Sequence, residues 1–470
     1  MTSVQGDSMR LLTSMAFSLS LLSNVLVASP VQDSQSVQAL ADRLVDAGIT
    51  PGVAIGVLEE SGRVRTYCAG TLEENGTEEV TDETIFEIGS ISKTFTTTLA
   101  HILEQQGRIS LSDPVSMHLP GEVVMPVVDN NEIMLWHLAT HTSGLPRMPS
   151  NFKPSDPSNP YADYTNGQLY EFLSNNRPPR KPGEQYEYSN LGLGLLGHAL
   201  ERNEDATYEE LVQRHILKPL RMTHTGCSPS TTSPGGIATG HDANGTTSDW
   251  DINGPMAGAG DLNSNVNDMM KYAKSLLSES NARLHRSLHA CQVPRAKAGD
   301  ARIGLGWFVS NSGRTIWHSG GTGGFNSYMG LFPERNRAVV ILTNSTKAVG
   351  LGVLGRHIMA PDLVGVETLP AGWTPDFTSP KPIDFDAYIG NYRSESGNEF
   401  AVLHQRGGLV ARYNDQSFVD YEPIANDMFE ARQFNARLQF NRDSANKVTS
   451  LTLFQNGAKQ HFTLWGDKPM

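Results

Sequence analysis

The sequence predicts an α+β protein: an antiparallel sheet flanked by helices, with an all-helical region, followed by a small all-β C-terminal domain. Three observations carry this. Strand-like runs lie at both ends of residues 34–350 and bracket a helical middle. Pro361, Pro370, Pro375, Pro380 and Pro382 crowd into one stretch and mark a stiff linker over 362–382. Beyond it the pattern turns to short alternating segments separated by turn pairs. The expected units are therefore 34–361, the linker, and 383–470. A length of 470 residues is a soft prior of about three domains at roughly 150 residues each.

Each element follows from its own stretch. SQSVQALADRLVDAG (34–48) places apolar residues at helical spacing. PGVAIGVLEESGRVRTYCAG reads as two strands around a Ser-Gly turn. FEIGSISKTFTTTLAHILEQQG reads as a loop entering a long buried helix that Gly107 stops. Helical patches between Pro- and Gly-rich loops then run to about residue 300. Strands return in RIGLGWFVS, RTIWHSG, FNSYMGLFP and AVVILTN, ending near Asn344, and are expected to pair with the N-terminal ones. After the linker, EFAVLHQ, LVARYN, FVDYEPI, MFEAR, ARLQFN, VTSLTLFQ and KQHFTLW are short strands. With turns at Gly407-Gly408, Asn414-Asp415 and Asn456-Gly457, they predict a small antiparallel barrel or sandwich.

Composition excludes several function classes. Lys and Arg number 37 against 50 Asp and Glu, a net charge of −13, and no basic run offsets it, so no nucleic-acid partner is expected. Cys68, Cys227 and Cys291 are too few for a disulfide scaffold and lack metal-ligand spacing, so neither a metal nor a cofactor is expected. Met9-Arg10 followed by LLTSMAFSLSLLSNVLVA, ending near Ala28, reads as a signal peptide over 1–28, which predicts a secreted or periplasmic protein. Ser and Asn interrupt that apolar stretch, so it makes a poor membrane span.

Three short motifs carry chemistry. Ser90-Ile91-Ser92-Lys93, at the start of an apolar helix, puts a hydroxyl and an amine on one face a turn apart. Buried there, the amine loses its proton more easily than in water and serves as base or relay for the serine. Tyr188-Ser189-Asn190 brings a phenol that shuttles protons and an amide that holds a substrate carbonyl or the lysine. His318-Ser319-Gly320-Gly321 follows a strand-like run; its glycines let a substrate backbone lie along the edge, and its histidine offers a donor or positive charge to a substrate carboxylate. The backbone N–H of Gly321 could pair with that of Ser90 as an oxyanion hole.

In this order and at these separations, the three motifs resemble the serine β-lactamase and penicillin-recognising superfamily, above all its class C branch, which also holds D-alanyl-D-alanine carboxypeptidases, D-amino-acid peptidases and family VIII carboxylesterases. LSDPVSMHLP, LATHTSGLP, AGAGDLNSNVNDMMKYA and GLGWF add to the likeness, which spans roughly 36 to 350. The resemblance implies an acylated nucleophile at Ser90 and a general-base role shared by Lys93 and Tyr188. It further implies leaving-group protonation by Tyr188, positioning of substrate and Lys93 by Asn190, substrate binding along His318, Ser319 and Gly320, and an oxyanion hole from Ser90 and Gly321. No metal enters. One departure stands out: class C β-lactamases typically have Lys-Thr-Gly where this chain has His318-Ser319-Gly320. A neutral His holds a carboxylate less firmly than Lys, which counts against efficient β-lactam hydrolysis.

Other motifs are set aside. Gly192 to Gly197 match G-x-G-x-x-G but follow no strand, and read as close-packing glycines rather than a dinucleotide site. Asp249, Asp251 and Asn253 imitate half an EF-hand whose twelfth position is Gly260. His137 and His141 lack the glutamate of a zinc-protease helix and read as packed or loop-anchoring. The expected function is a secreted serine hydrolase opening an amide or lactam, either a β-lactam or a D-alanyl-type peptide. Two alternatives stay open: an esterase on short acyl esters using the same residues, and a penicillin-binding sensor without turnover. Partners are then a small-molecule or peptide substrate, with the C-terminal β-domain as a surface for a further partner.

Overall fold

Eight antiparallel strands make the central sheet: β1 (Gly52–Leu58), β2 (Val64–Gly70), β3 (Ala296–Ala298), β4 (Ala301–Ile303), β5 (Phe308–Ser310), β6 (Ile316–Gly321), β7 (Asn326–Phe332) and β8 (Arg337–Thr343). Their spatial order is β2-β1-β8-β7-β6-β5-β4-β3. The two ends of the unit meet as expected, with Val53 opposite Thr343 and Leu58 opposite Ala338. The computed structural model describes residues 34–228, 233–280, 282–360, 385–405, 408–425, 427–431, 436–444, 447–455 and 458–466. The expected signal peptide (1–28) and linker (362–382) lie outside them, as do Gly407, Asn456 and Gly457 of the expected turns. No helix among the described residues is long and apolar enough to cross a membrane.

Every residue of β1 and β8 is buried, because helices cover both faces of the sheet. On one face Val53, Ile55, Val57, Val339 and Ile341 pack with Val37, Ala41 and Leu44 of α1 (Ser34–Asp46) and with Leu354 and Ile358 near the end of the unit. The residues between them, Ala54, Leu58, Val340 and Leu342, point the other way into the larger core around α2 (Ser92–Gln105).

Helix α2 is buried almost all round, although threonines fill its middle. Their hydroxyls are satisfied locally or used as ties: Thr94 and Thr98 donate to the Ile91 and Thr94 carbonyls, Thr96 to Gly258 O at 2.7 Å, and Thr97 to Leu305 O at 2.9 Å. These bonds fix the helix against two loops that border the site. Helix α3 (Asn190–Glu204) meets the 254–259 segment through its glycines. A Cβ on Gly194 would sit 2.7 Å from Pro255 O, and one on Gly197 would sit 3.0 Å from Gly258 Cα. The G-x-G-x-x-G match is therefore a close-packing device.

The sheet departs from expectation in three places. RIGLGWFVS is not one strand: it turns between β4 and β5, where Gly306 has φ +72° and a Cβ on Gly304 would lie 2.3 Å from Cys291 O. The edge strand β3 and a helix over Leu351–Met359 were not expected at all. In that helix two glycines in LGVLGRHIM lower the intrinsic helix preference, while burial of its apolar face supplies the stabilisation.

The C-terminal region closes into an eight-stranded antiparallel barrel: β9 (Gly390–Arg393), β10 (Glu399–Gln405), β11 (Gly408–Tyr413), β12 (Val419–Ala425), β13 (Met428–Ala431), β14 (Ala436–Arg442), β15 (Val448–Gln455) and β16 (Ala458–Gly466). Seven of these strands were legible; the short β9, which pairs with β16 to close the ring, was not. The interior is filled by side chains such as Tyr392, Phe400, Phe429, Phe440 and Phe462. The β3–β4 turn touches this barrel, since a Cβ on Gly299 would lie 3.7 Å from Ala458 Cβ.

Candidate active site

The three sequence motifs converge where the start of α2, the loop before α3 and strand β6 meet. Ser90 lies on a single 3-10 turn (Gly89–Ile91) that runs directly into α2, so Ser90 and Lys93 share a face one turn apart. Lys93 is fully buried, and its Nζ sits 2.8 Å from Ser90 Oγ and 2.5 Å from the carbonyl oxygen of Ala259. Burial, aided by the guanidinium of Arg147, holds the amine well below its usual protonation range. A neutral amine that gives a hydrogen to Ala259 O can direct its lone pair at the Ser90 hydroxyl. Ala259 stands at the end of the segment packed on α3, so the helix glycines indirectly place this carbonyl.

Tyr188 faces the same pair. Lys93 Nζ is 5.1 Å from the centre of its ring and Arg147 Cζ is 5.2 Å from it. Burial pushes the phenol up to about 12, against the lowering effects of Arg147 and of a hydrogen bond with Ser90. Tyr188 is thus a protonated donor at neutral pH. Its loop is held from behind by LATHTSGLP. His141, in the left-handed region at φ +55°, stacks on the Tyr188 ring at 4.4 Å and accepts from Ser189 N–H through Nδ1 at 3.0 Å; its carbonyl accepts from Glu187 N–H at 2.7 Å. Ser189 caps α3, accepting from Gly192 N–H and donating to Pro146 O. His141 is therefore a loop anchor, and the zinc-helix reading has no place for it.

Asn190 points into the site but not at Lys93. Its Nδ2 donates to Tyr161 Oη at 3.4 Å, and its buried Oδ1 has no partner. The expected contact with Lys93 is replaced by the Ala259 carbonyl, a backbone atom within AGAGDLNSNVNDMMKYA to which the sequence assigns no role.

His318 is buried on β6, with Nδ1 2.7 Å from the carbonyl oxygen of Ser319. That bond puts the proton on Nδ1 and leaves Nε2 as a buried lone pair without a partner. Burial first, then the neighbouring Lys93, drives this ring down to about 3. It is neutral and an acceptor at Nε2, so the expected donor or positive charge for a carboxylate is not what the fold presents. Nitrogen NMR of the histidines is expected to show an Nδ1–H, Nε2-unprotonated His318 whose signals stay fixed from pH 8 to pH 5; a ring titrating near its ordinary value of about 6.5 would contradict this.

Strand β6 and the Gly89–Ile91 turn approach each other closely through their backbones. A Cβ on Gly320 would lie 2.0 Å from Ile88 O, and one on Gly89, at φ +49°, would lie 2.8 Å from Gly321 N. From the neighbouring β7, Ser327 Oγ donates to Ile88 O at 2.9 Å and ties the sheet to the residue before the turn. The backbone of Gly321 is thus brought beside Gly89-Ser90. Two buried residues outside every motif stand beside Tyr188 and Asn190: Arg147, and Tyr161, whose ring lies 5.3 Å from that of Trp250. Arg147 directly follows LATHTSGLP, and that adjacency was the signal available for it.

Comparison with known proteins gives the family. Residues 37–360 match the β-lactamase sequence family, and residues 375–466 match a domain of unknown function, DUF3471. A β-lactamase of Escherichia coli K12 is 27% identical over 355 residues, covering 67% of this chain and 90% of the relative. The D-alanyl-D-alanine-carboxypeptidase/endopeptidase AmpH of the same strain is 29% identical over 348 residues, covering 69% and 88%. The solved structure of a class C β-lactamase in complex with cefoxitin has the same fold, with a TM-score of 0.58 at 24% identity over 66% of this chain and 93% of that one. Matched along most of its length, the chain belongs to the β-lactamase family and is a serine hydrolase.

Proposed function

We propose that the protein opens an amide or lactam, in a D-alanyl-type peptide or a β-lactam, through an acyl intermediate on Ser90. One observation carries the reading: a fully buried lysine amine, driven towards its neutral form, lies 2.8 Å from a serine hydroxyl. In acylation the Ser90 proton passes to Lys93 while Oγ bonds to the substrate carbonyl carbon. The carbonyl oxygen takes the negative charge, facing the backbone N–H groups of Ser90 and Gly321. Collapse breaks the carbon–nitrogen bond, and the leaving nitrogen receives a proton from Tyr188, which recovers one from Lys93. Water then repeats the sequence to release the acid. Asn190, His318, Ser319 and Gly320 line the path of the substrate.

A specific observation favours an esterase as the second reading. His318 is neutral and presents a lone pair, so the site lacks at that position the cation that would hold a substrate carboxylate, and a simple acyl ester needs none. Side-by-side assays with nitrocefin, a D-Ala-D-Ala peptide and p-nitrophenyl butyrate decide between them, with mass spectrometry of the quenched enzyme. Turnover of either amide-type substrate with an adduct on the Ser90 peptide is expected. Hydrolysis of the ester alone would pass the function to the esterase reading, and a stable adduct without product would pass it to the sensor. Export by a signal peptide over 1–28 is part of the proposal, and the same spectra check it, since the mature chain is then expected to begin at Ser29. The closed core of the barrel supports reading 383–470 as a domain of its own behind the linker.

A further inference from the structure

We infer that Arg147 is a positioning residue of this site: its fixed charge, held over the Tyr188 ring, biases where the proton sits among Ser90, Lys93 and Tyr188. The inference rests on the catalytic reading above. Arg147 is 7% exposed, and its own carbonyl accepts from Asn190 N–H at 3.0 Å and Leu191 N–H at 3.1 Å. The backbone bonds tie the Arg147 main chain to the Tyr-x-Asn loop that carries the phenol. The guanidinium lies 5.2 Å from the Tyr188 ring centre, and Lys93 Nζ lies 5.1 Å from the same point.

Several described groups around these three side chains are neutral at pH 7. Facing Lys93 are the Ser90 hydroxyl, the Ala259 carbonyl, the Tyr188 phenol, and the rings of His141 and His318, both of which burial keeps unprotonated. Near Arg147, among the described residues, stand the phenols of Tyr188, Tyr161 and Tyr186, and from the barrel Tyr421, each held protonated by burial. A guanidinium keeps its proton throughout the working range. Its charge disfavours an ammonium on Lys93 and favours phenolate character on Tyr188. Both effects act in one direction: they free the Lys93 lone pair for Ser90 and make Tyr188 a readier donor to the leaving group.

A merely structural Arg147 would scale the rate equally at every pH, whereas an electrostatic one moves the profile. The test is the pH dependence of kcat/KM for p-nitrophenyl butyrate, or nitrocefin if that is turned over, in wild type, Arg147→Met, Arg147→Gln and Arg147→Lys, with thermal melts to confirm folding. The acid limb reports Lys93. In the two neutral variants it is expected to move to higher pH by about one unit, while Arg147→Lys stays with wild type. An acid limb that does not move in a folded neutral variant overturns the inference, as does a shifted limb in Arg147→Lys. Should neither neutral variant fold, citrulline incorporated at position 147, which keeps the shape and removes the charge, decides: an acid limb moved to higher pH upholds the role of charge, and an unmoved one overturns it. A Ser90→Ala protein that still turned over would instead sink the underlying catalytic reading, so the two failures are distinguishable.

Discussion

Ser90→Ala, Lys93→Met and the double variant are expected to be equally inactive, each losing about 10⁴-fold or more in kcat/KM. The equality is the informative part. Removing the hydroxyl removes the atom that forms the acyl bond. Removing the amine leaves that atom in place but strands its proton, because Lys93 Nζ lies 2.8 Å from Ser90 Oγ, while Tyr188, also hydrogen-bonded to Ser90, is held protonated by burial. Proton loss and attack are one step, so the second substitution has nothing left to remove. Neither change should unfold the protein: Ser90→Ala removes a single oxygen atom, and Met fills the volume of an uncharged lysine stem. Stopped-flow acylation with mass spectrometry of the Ser90 peptide measures this. Substantial turnover in Ser90→Ala, or a double variant far worse than either single one, would mean that another residue forms the bond. The pH dependence of the wild type has a definite sign. As Lys93 must be neutral to act, the rate rises as pH climbs through its depressed titration and stays high until Tyr188 ionises near 12.

What was legible in the sequence was whatever is contiguous. Ser90 with Lys93, Tyr188 with Asn190, and His318 with its glycines each lie within four residues, and short-range geometry places them. The missed parts are long-range or belong to the backbone. The Ala259 carbonyl reaches Lys93 across 166 residues, and nothing in the side chain of an alanine advertises an acceptor. Arg147 is a lone arginine after a loop motif, with no spacing that marks it; only the fold shows it buried against Tyr188. His318 was legible as a site residue, yet its tautomer was not, since that follows from one bond to the Ser319 carbonyl. The same division holds for the fold. Alternation gave away most of the strands, but it joined β4 and β5 into one run because the turn between them carries Leu305 and Trp307, both buried, beside its glycines.

Gly320→Ala is expected to lower kcat by about 10²- to 10³-fold while leaving a folded protein. The added methyl would come to rest 2.0 Å from Ile88 O and 2.3 Å from Ser327 Oγ. Ser327 can rotate away, but the Ile88 carbonyl cannot: its own N–H is bonded to Leu262 O at 3.1 Å, and Ile91 N–H is bonded back to it. Strand β6 must therefore draw away from the Gly89–Ile91 turn. That motion widens the gap between the two backbone segments carrying the Ser90 and Gly321 N–H groups, which must stay in register to hold the developing oxyanion. The nucleophile, the amine and the phenol are untouched, so the loss should fall on kcat, and binding of a transition-state mimic such as a boronic acid should weaken in proportion. Gly167→Ala is the matched control: a Cβ there meets only Thr165 Oγ1, at 3.8 Å, and alanine favours the helix, so no loss is expected. A Gly320→Ala enzyme with wild-type kcat would show that the oxyanion is held elsewhere. If boronate affinity were then also unchanged, the contact between β6 and the nucleophile turn would be a packing feature with no part in the chemistry.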